Sequence, residues 1–350
     1  MSKWFDKLGA GKSSIIYSRL RLTRNWDKYV FPSRLSGEEN RLVVNCLREG
    51  LKDLGQFDGH QYQYIALEAA GQPEKLALRE RRILNQSALE REEAGGLYLS
   101  EDESRSLLLG VDDHIRIQLL APGLMLESLW KKADKIDDYV NERFSYAFDE
   151  KYGYLTSFPT NVGTGLRACV VMHLPGLSQV KKFQSIVGDM SRFGASIKGL
   201  FGEGDDNYGN LYEISNQRTL GLSEKEIVEL VTKAAMQLNN QEMRVRAAAL
   251  ETKRAEREDE AYKSYGVLKY ARRITQKDAR IFLSQLMAGE ADGLMGFESQ
   301  GSIYRMLMGI KPANLTLWAR KPLSKEEMDT VRASYIRQSL PDIEASSETV

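Results

Sequence analysis

Residues 159–171 read PTNVGTGLRACVV, and the chain continues MHL to Leu174. Residues 166–174 form a short apolar run with adjacent valines and a single charge, Arg167. That is the pattern of a buried strand. Working outward, similar runs occur at residues 61–67 (QYQYIAL), 96–99, 107–111, 114–120 and 211–215. Several follow one another across turns too short for the crossover that parallel strands require, so they read as antiparallel neighbours. The expectation is an α+β fold, an antiparallel β-sheet flanked by helices.

Helix starts are legible as capping boxes, a serine followed three residues later by glutamate: Ser36 with Glu39, Ser223 with Glu226, and Ser324 with Glu327. Residues 124–140 place Leu126, Leu129, Trp130, Ala133 and Ile136 on one helical stripe. Val180, Phe183, Val187 and Met190 repeat the spacing farther on, and both stripes are expected to cover the sheet. After Ser223 no strand pattern returns. Ile227, Leu230, Val231, Ala234 and Leu238 begin a long helical stretch that leads into the charge-dense ETKRAEREDE at 251–260, a solvated face. The expected division is a mixed domain over residues 1–250, an all-α domain over 251–340 and a polar tail over 341–350.

With 350 residues and 42% apolar content, the chain can bury a substantial core. Lys plus Arg and Asp plus Glu both total 49, so global charge argues for neither nucleic acid nor an anionic membrane as partner. Cys46 and Cys169 are the only cysteines, far apart, which suggests neither a disulfide framework nor a zinc module. The N-terminus lacks an apolar leader and no window approaches eighteen apolar residues, so a cytoplasmic protein is expected.

GAGKS at residues 9–13 invites a phosphate-loop reading, but that motif needs glycine where Asp6 stands and a strand before it, so a flexible turn is expected. A stronger signal is a set of separated arginines: Arg19 and Arg21 in YSRLRLTRN, Arg116 in DDHIRIQ, and Arg167. Arginine is permanently charged and grips phosphate oxygens with a fork of donors. One alone would read as a surface ion pair. Several converging on one cleft would neutralise a triphosphate.

In this order SRLRLTRN, DDHIRIQ, YGYLTSFPTNVGTGLRA and GLFGEGDD, within residues 15–223, resemble the phosphagen kinase superfamily of ATP:guanidino phosphotransferases. RNWDKYVFPSR, HLPGL and GNLYEISNQ look most like its protein arginine kinases. The resemblance implies transfer of the γ-phosphoryl of ATP to a guanidinium nitrogen. It assigns nucleotide contacts to Ser18, Arg19, Leu20, Arg21, Arg82, Arg116, Arg167, Ala168, Cys169, Val170 and Val171, and to the closing loop Lys198, Gly199, Leu200, Phe201, Gly202 and Glu203. Asp112 and Glu203 would align the guanidinium and accept its proton. Mg2+ would be held by phosphates and water, with no protein-encoded metal site, and His114 is read as structural. Small-molecule phosphagen kinases carry a helical domain ahead of the SRxR motif. Here that motif begins at Ser18, so a protein-borne arginine is the expected substrate.

Four positions depart from the family pattern. Asp112 replaces glutamate, Lys198 replaces arginine, and Phe158 replaces cysteine. Met328 opens a motif, completed by Asp329, Arg332 and Ala333, that begins with arginine in protein arginine kinases and there reads phosphoarginine. A shorter carboxylate and a lost fork predict slower turnover. The resemblance further implies a homodimer built on the helical domain, an McsA-type activator and the Clp protease machinery, in protein quality control and stress response. Two other readings stay open: a catalytically weak phosphoarginine-binding scaffold, and a kinase for a small guanidino metabolite.

Overall fold

A computed structural model describes residues 2–7, 13–201, 207–298 and 302–344. Gly202 and Glu203, residues 9–12 of the GAGKS stretch and residues 345–350 of the expected tail lie outside the described residues. The strands are β1 (Ile15–Arg24), β2 (Tyr62–Ala66), β3 (Gly96–Ser100), β4 (Arg105–Leu109), β5 (Ile115–Pro122), β6 (Phe148–Asp149), β7 (Gly153–Tyr154), β8 (Leu166–His173), β9 (Ala195–Gly199) and β10 (Leu211–Asn216). The helices are α1 (Gly37–Gly50), α2 (Leu54–Asp58), α3 (Gln72–Glu80), α4 (Gln86–Glu90), α5 (Leu126–Asn141), α6 (Phe183–Arg192), α7 (Glu224–Tyr270), α8 (Gln276–Ala291), α9 (Ile303–Gly309), α10 (Pro312–Ala319) and α11 (Lys325–Ser339). Eight strands form one sheet in the order β2-β3-β4-β5-β1-β8-β10-β9, every pairing antiparallel, while β6 and β7 make a separate short hairpin. The α+β architecture is the one the sequence predicts.

Strand alternation divides the sheet chemically. Leu20, Leu22, Ile117, Leu119, Ala168, Val170 and Met172 turn to one side, into a core shared with α1, α5, α6 and the first part of α7. Arg24 points to that side too. It is buried, donates from Nε and Nη2 to Asp137 of α5 at 3.1 and 2.7 Å, and lies 3.6 Å from the centre of the Tyr154 ring. All three predicted capping boxes form with both reciprocal bonds, each contributing roughly 1 kcal/mol to its helix.

The opposite side of the sheet carries two apolar patches. Leu78, Ile83, Leu84 and Ala88, around α3 and α4, cover Leu97, Leu99 and Leu108. At the other end, Tyr17, Leu120, Val171 and Leu211 enter a core built by the C-terminal helices, with Leu283, Leu286, Leu307 and Ile336. The helical part therefore packs on the arginine-bearing side of the sheet. α7 spans the expected division near residue 250, with a single non-helical residue, Lys253. Residues 341–344, expected to open a polar tail, return to this core instead. Glu298 N donates to Asp342 O and Glu344 N to Gly296 O, and Ile343 packs against the core to which buried Leu340 belongs. No helix among the described residues is long and apolar enough to cross a membrane.

Candidate active site

The β1 register places Arg19 opposite Leu120 and Cys169, Arg21 opposite Gln118 and Arg167, and Thr23 opposite Arg116. Opposed residues of an antiparallel pair share a face, so Arg19, Arg21, Arg116 and Arg167 crowd onto the sheet between the two apolar patches. The Nε atoms of Arg19, Arg21 and Arg116 are buried without a hydrogen-bond partner. Burial, and then repulsion from Arg19, brings the Arg21 guanidinium down to about 10; burial and then Arg21 bring Arg116 down to about 9. Both remain charged at neutral pH. Arg116 Nη2 donates to Ile83 O at 3.0 Å and Arg167 Nη1 to Asn216 O at 2.5 Å, so carbonyls aim these forks without neutralising them. This donor set fits a polyanion.

Glu213, unremarked in the sequence, supplies the countercharge. It stands on β10 opposite Val171 and Lys198, and its Oε2 accepts from Arg19 Nη2 at 2.9 Å and Arg82 Nη1 at 2.5 Å. Burial opposes its ionisation, but Arg19 and Arg82 prevail and hold its carboxyl down to about 2. Burial likewise opposes the charge of Arg19, and Glu213 outweighs it, lifting that guanidinium above its ordinary value. Cys169 is wholly buried between them, its Sγ 3.6 Å from both side chains, and burial raises its thiol pKa. Arg82 follows α3 in the left-handed region at φ +65°, an uncommon conformation for a long side chain. Its carbonyl accepts from Gln118 Nε2 at 3.0 Å, and its Nη2 donates to Leu200 O at 3.1 Å.

Asp112 occupies the turn between β4 and β5. The turn comes two residues earlier than the predicted strand end, because Gly110 takes φ +65° and its amide donates to His114 O. A side chain at Gly110 would also collide with Val44 Cγ2. Asn85 Nδ2 donates to Asp112 Oδ2 at 2.5 Å, and Asp112 is among the charges acting on Arg116. Ser157 ties the following loop to this turn, donating from Oγ to Asp112 O at 2.7 Å and from N to Asp113 Oδ1 at 2.6 Å. That loop presents Phe158, which is half exposed. Beside it, His114 accepts from Trp26 N at Nδ1, and burial brings its imidazole down to about 4, so it is neutral.

Other residues implied by the resemblance are distributed differently. Ser18, Leu20, Ala168 and Val170 are fully buried on the opposite face, separated from the arginines by strand alternation. Ser18 Oγ is committed there, donating to Gly123 O and accepting from Met125 N. Val171 belongs to the C-terminal core. Lys198 is exposed on β9, Gly199 ends that strand, and Leu200 is buried. The Phe201 ring lies 4.4 Å from the Arg280 guanidinium and 5.0 Å from the Lys311 amine. Met328, Asp329, Arg332 and Ala333 lie on α11. Arg332 is buried, with Nε on Ile310 O at 3.0 Å and Nη1 on Ile274 O and Asp329 Oδ1, while Met328 packs against the core. Among the described residues, no group of three His, Cys, Asp or Glu side chains could hold a metal ion.

Residues 43–245 match the family model described as ATP:guanido phosphotransferase, C-terminal catalytic domain, and residues 254–349 match the protein-arginine kinase McsB C-terminal domain. The chain is 37% identical over 340 residues to a protein-arginine kinase of Bacillus velezensis, covering 97% of this chain and 93% of that one. The Bacillus subtilis protein-arginine kinase gives the same identity and coverage, and that of Halothermothrix orenii is 34% identical with 97% of each chain covered. Among solved structures, lombricine kinase superposes with a TM-score of 0.58 over 72% of each chain at 24% identity. The duplicated taurocyamine kinase of Schistosoma mansoni gives 0.57 at 24% identity, over 65% of this chain and 32% of that one, so the match spans about a third of that enzyme. At such identity these two show a shared fold. The near full-length relatives go further: the chain belongs to the ATP:guanido phosphotransferases and, within them, to the protein-arginine kinase family.

Proposed function

We infer that this chain transfers the γ-phosphoryl group of ATP to the guanidinium of arginine side chains in proteins. The observation that carries the reading is the under-neutralised arginine face, with the Asp112 carboxylate at its edge. Arg19, Arg21, Arg82, Arg116 and Arg167 would bind the phosphate oxygens, their forks already oriented by the sheet and by backbone carbonyls. Bound Mg2+ would neutralise further phosphate charge, held by phosphate oxygens and water. The acceptor guanidinium, with a pKa above about 12, must lose a proton as its nitrogen attacks phosphorus and the bond to ADP breaks. Asp112 is suited to hold that guanidinium and take the proton, since Asn85 fixes its carboxylate. Glu203, two positions after Phe201 in the sequence and outside the described residues, is assigned the second carboxylate role.

The match of residues 254–349 to the McsB C-terminal domain supports a protein substrate over a small guanidino metabolite. The resemblance to protein arginine kinases extends this proposal to a cytoplasmic homodimer working with an McsA-type activator and the Clp protease machinery in stress response. Labelled ATP offered with casein, free arginine or creatine tests the assignment. Acid-labile label in casein alone is the expected result. Label on a small molecule would overturn it, and nucleotide binding without any transfer would establish the scaffold reading.

A further inference from the structure

We propose that Glu80 is a positioning residue for Arg82, through which the C-terminal helix α10 fixes a phosphate-binding guanidinium in place. The proposal rests on the reading of Arg82 as an ATP contact. A left-handed arginine persists only where its surroundings over-determine it, and the two residues before Arg82 supply that constraint. Glu80 Oε1 accepts from Ala313 N at 3.0 Å, and Oε2 accepts from Asn314 N at 3.0 Å and from Asn314 Nδ2 at 2.7 Å. The carboxylate thus caps the first turn of α10 from another part of the chain, where the helix's own N-cap, Lys311, gives no side-chain cap.

The clamp is closed on both sides. Lys311 Nζ donates to Glu80 O at 2.7 Å, and Arg81 donates from Nη1 to Asn314 Oδ1 at 2.7 Å and from Nε to Glu103 Oε2 at 2.8 Å. Lys311 is buried, and burial followed by the nearby Arg82 charge brings its amine down to about 7, a sign of how closely α10 approaches Arg82. The segment leading into α10 is itself anchored to α11, because Arg332 Nε donates to the carbonyl of Ile310, the residue before the Lys311 N-cap. Displacing α10 would therefore release the last turn of α3 and, with it, the backbone that holds Arg82 against Glu213 and Leu200.

The test compares ATP kinetics with casein as acceptor for Arg82→Ala, Glu80→Ala and the double variant. Arg82→Ala is expected to lower kcat/KM for ATP at least tenfold, and Glu80→Ala to reproduce most of that loss. The double variant should be no worse than Arg82→Ala, since both act through one guanidinium. Glu80→Gln, which keeps an acceptor for one α10 amide, should recover part of the activity. Normal ATP kinetics in Glu80→Ala, or losses that multiply in the double variant, would overturn the proposal. Normal kinetics in Arg82→Ala would overturn the underlying reading of Arg82 and the proposal with it. If Glu80→Ala does not fold, Asn314→Ala breaks the clamp from the α10 side and is judged by the same comparison.

Discussion

Replacing Glu213 with glutamine removes the only carboxylate bonded to Arg19 and Arg82 among the described residues while keeping nearly the same volume. The carboxyl held down to about 2 contributes stability that is complete above about pH 4.5 and is lost as pH falls through 2, on the order of 3 kcal/mol. About a fifth of the side chain is exposed, and solvent screening reduces the loss to roughly 2 kcal/mol. For a chain of 350 residues that corresponds to a melting temperature lower by roughly 3 °C. The triphosphate of ATP supplies the negative charge that glutamine cannot. Saturating ATP should therefore raise the melting temperature of Glu213→Gln by more than it raises that of the parent. Thermal unfolding at neutral pH, with and without nucleotide, measures both quantities. A variant that melts with the parent and gains no extra stabilisation from ATP would refute the role of Glu213 as the resident countercharge.

Other consequences follow from the same geometry. Asp112→Asn should reduce phosphoryl transfer to casein at least about a hundredfold while leaving ATP affinity within about threefold, measured by single-turnover kinetics and nucleotide titration; unchanged transfer would remove Asp112 from the chemistry. Asp137→Ala strands the fully buried Arg24 and should cost about 3–5 kcal/mol in denaturant unfolding, with a loss under about 1 kcal/mol counting against the buried pair. His173 and His114 are held by burial near 3 and 4, below the ordinary imidazole value, so the unfolded chain binds more protons as pH falls from about 6.5. Stability should then decline steadily between about pH 6.5 and 4, and melting curves flat across that window would contradict the assignment.

The sheet was readable where strands were apolar, as at β5 and β8. β1 escaped because Arg19, Arg21 and Arg24 interrupt it, yet Leu20 and Leu22 alternate with Arg19 and Arg21 as a half-buried strand requires. β9 escaped because ASIKG is short and ends at glycine. The arginines of the site were legible as residue types, since few roles other than anion binding gather several forks. Their partners were not. Glu213 is one acidic residue in a strand, and only register brings it against Arg19, although a charge opposite the conspicuous β8 run could have flagged it. Likeness by segment also could not separate faces, so Ser18, Leu20, Ala168 and Val170 entered the site with neighbours that point the other way. The left-handed backbone of Arg82 and its support by α10 depend on contacts between residues more than two hundred positions apart, which no local pattern carries.

The most direct test of the arginine face as a phosphate site is the Arg21→Met variant, read for both stability and transfer. Burial and repulsion make the Arg21 charge a cost to the nucleotide-free fold, so removing it while keeping an apolar stem should stabilise the protein by on the order of 1–2 kcal/mol. The same variant should lose at least about a hundredfold in phosphoryl transfer from ATP to protein arginine. A chain that is more stable and inactive is the predicted result; one that keeps its transfer activity, or that is destabilised, would contradict the account.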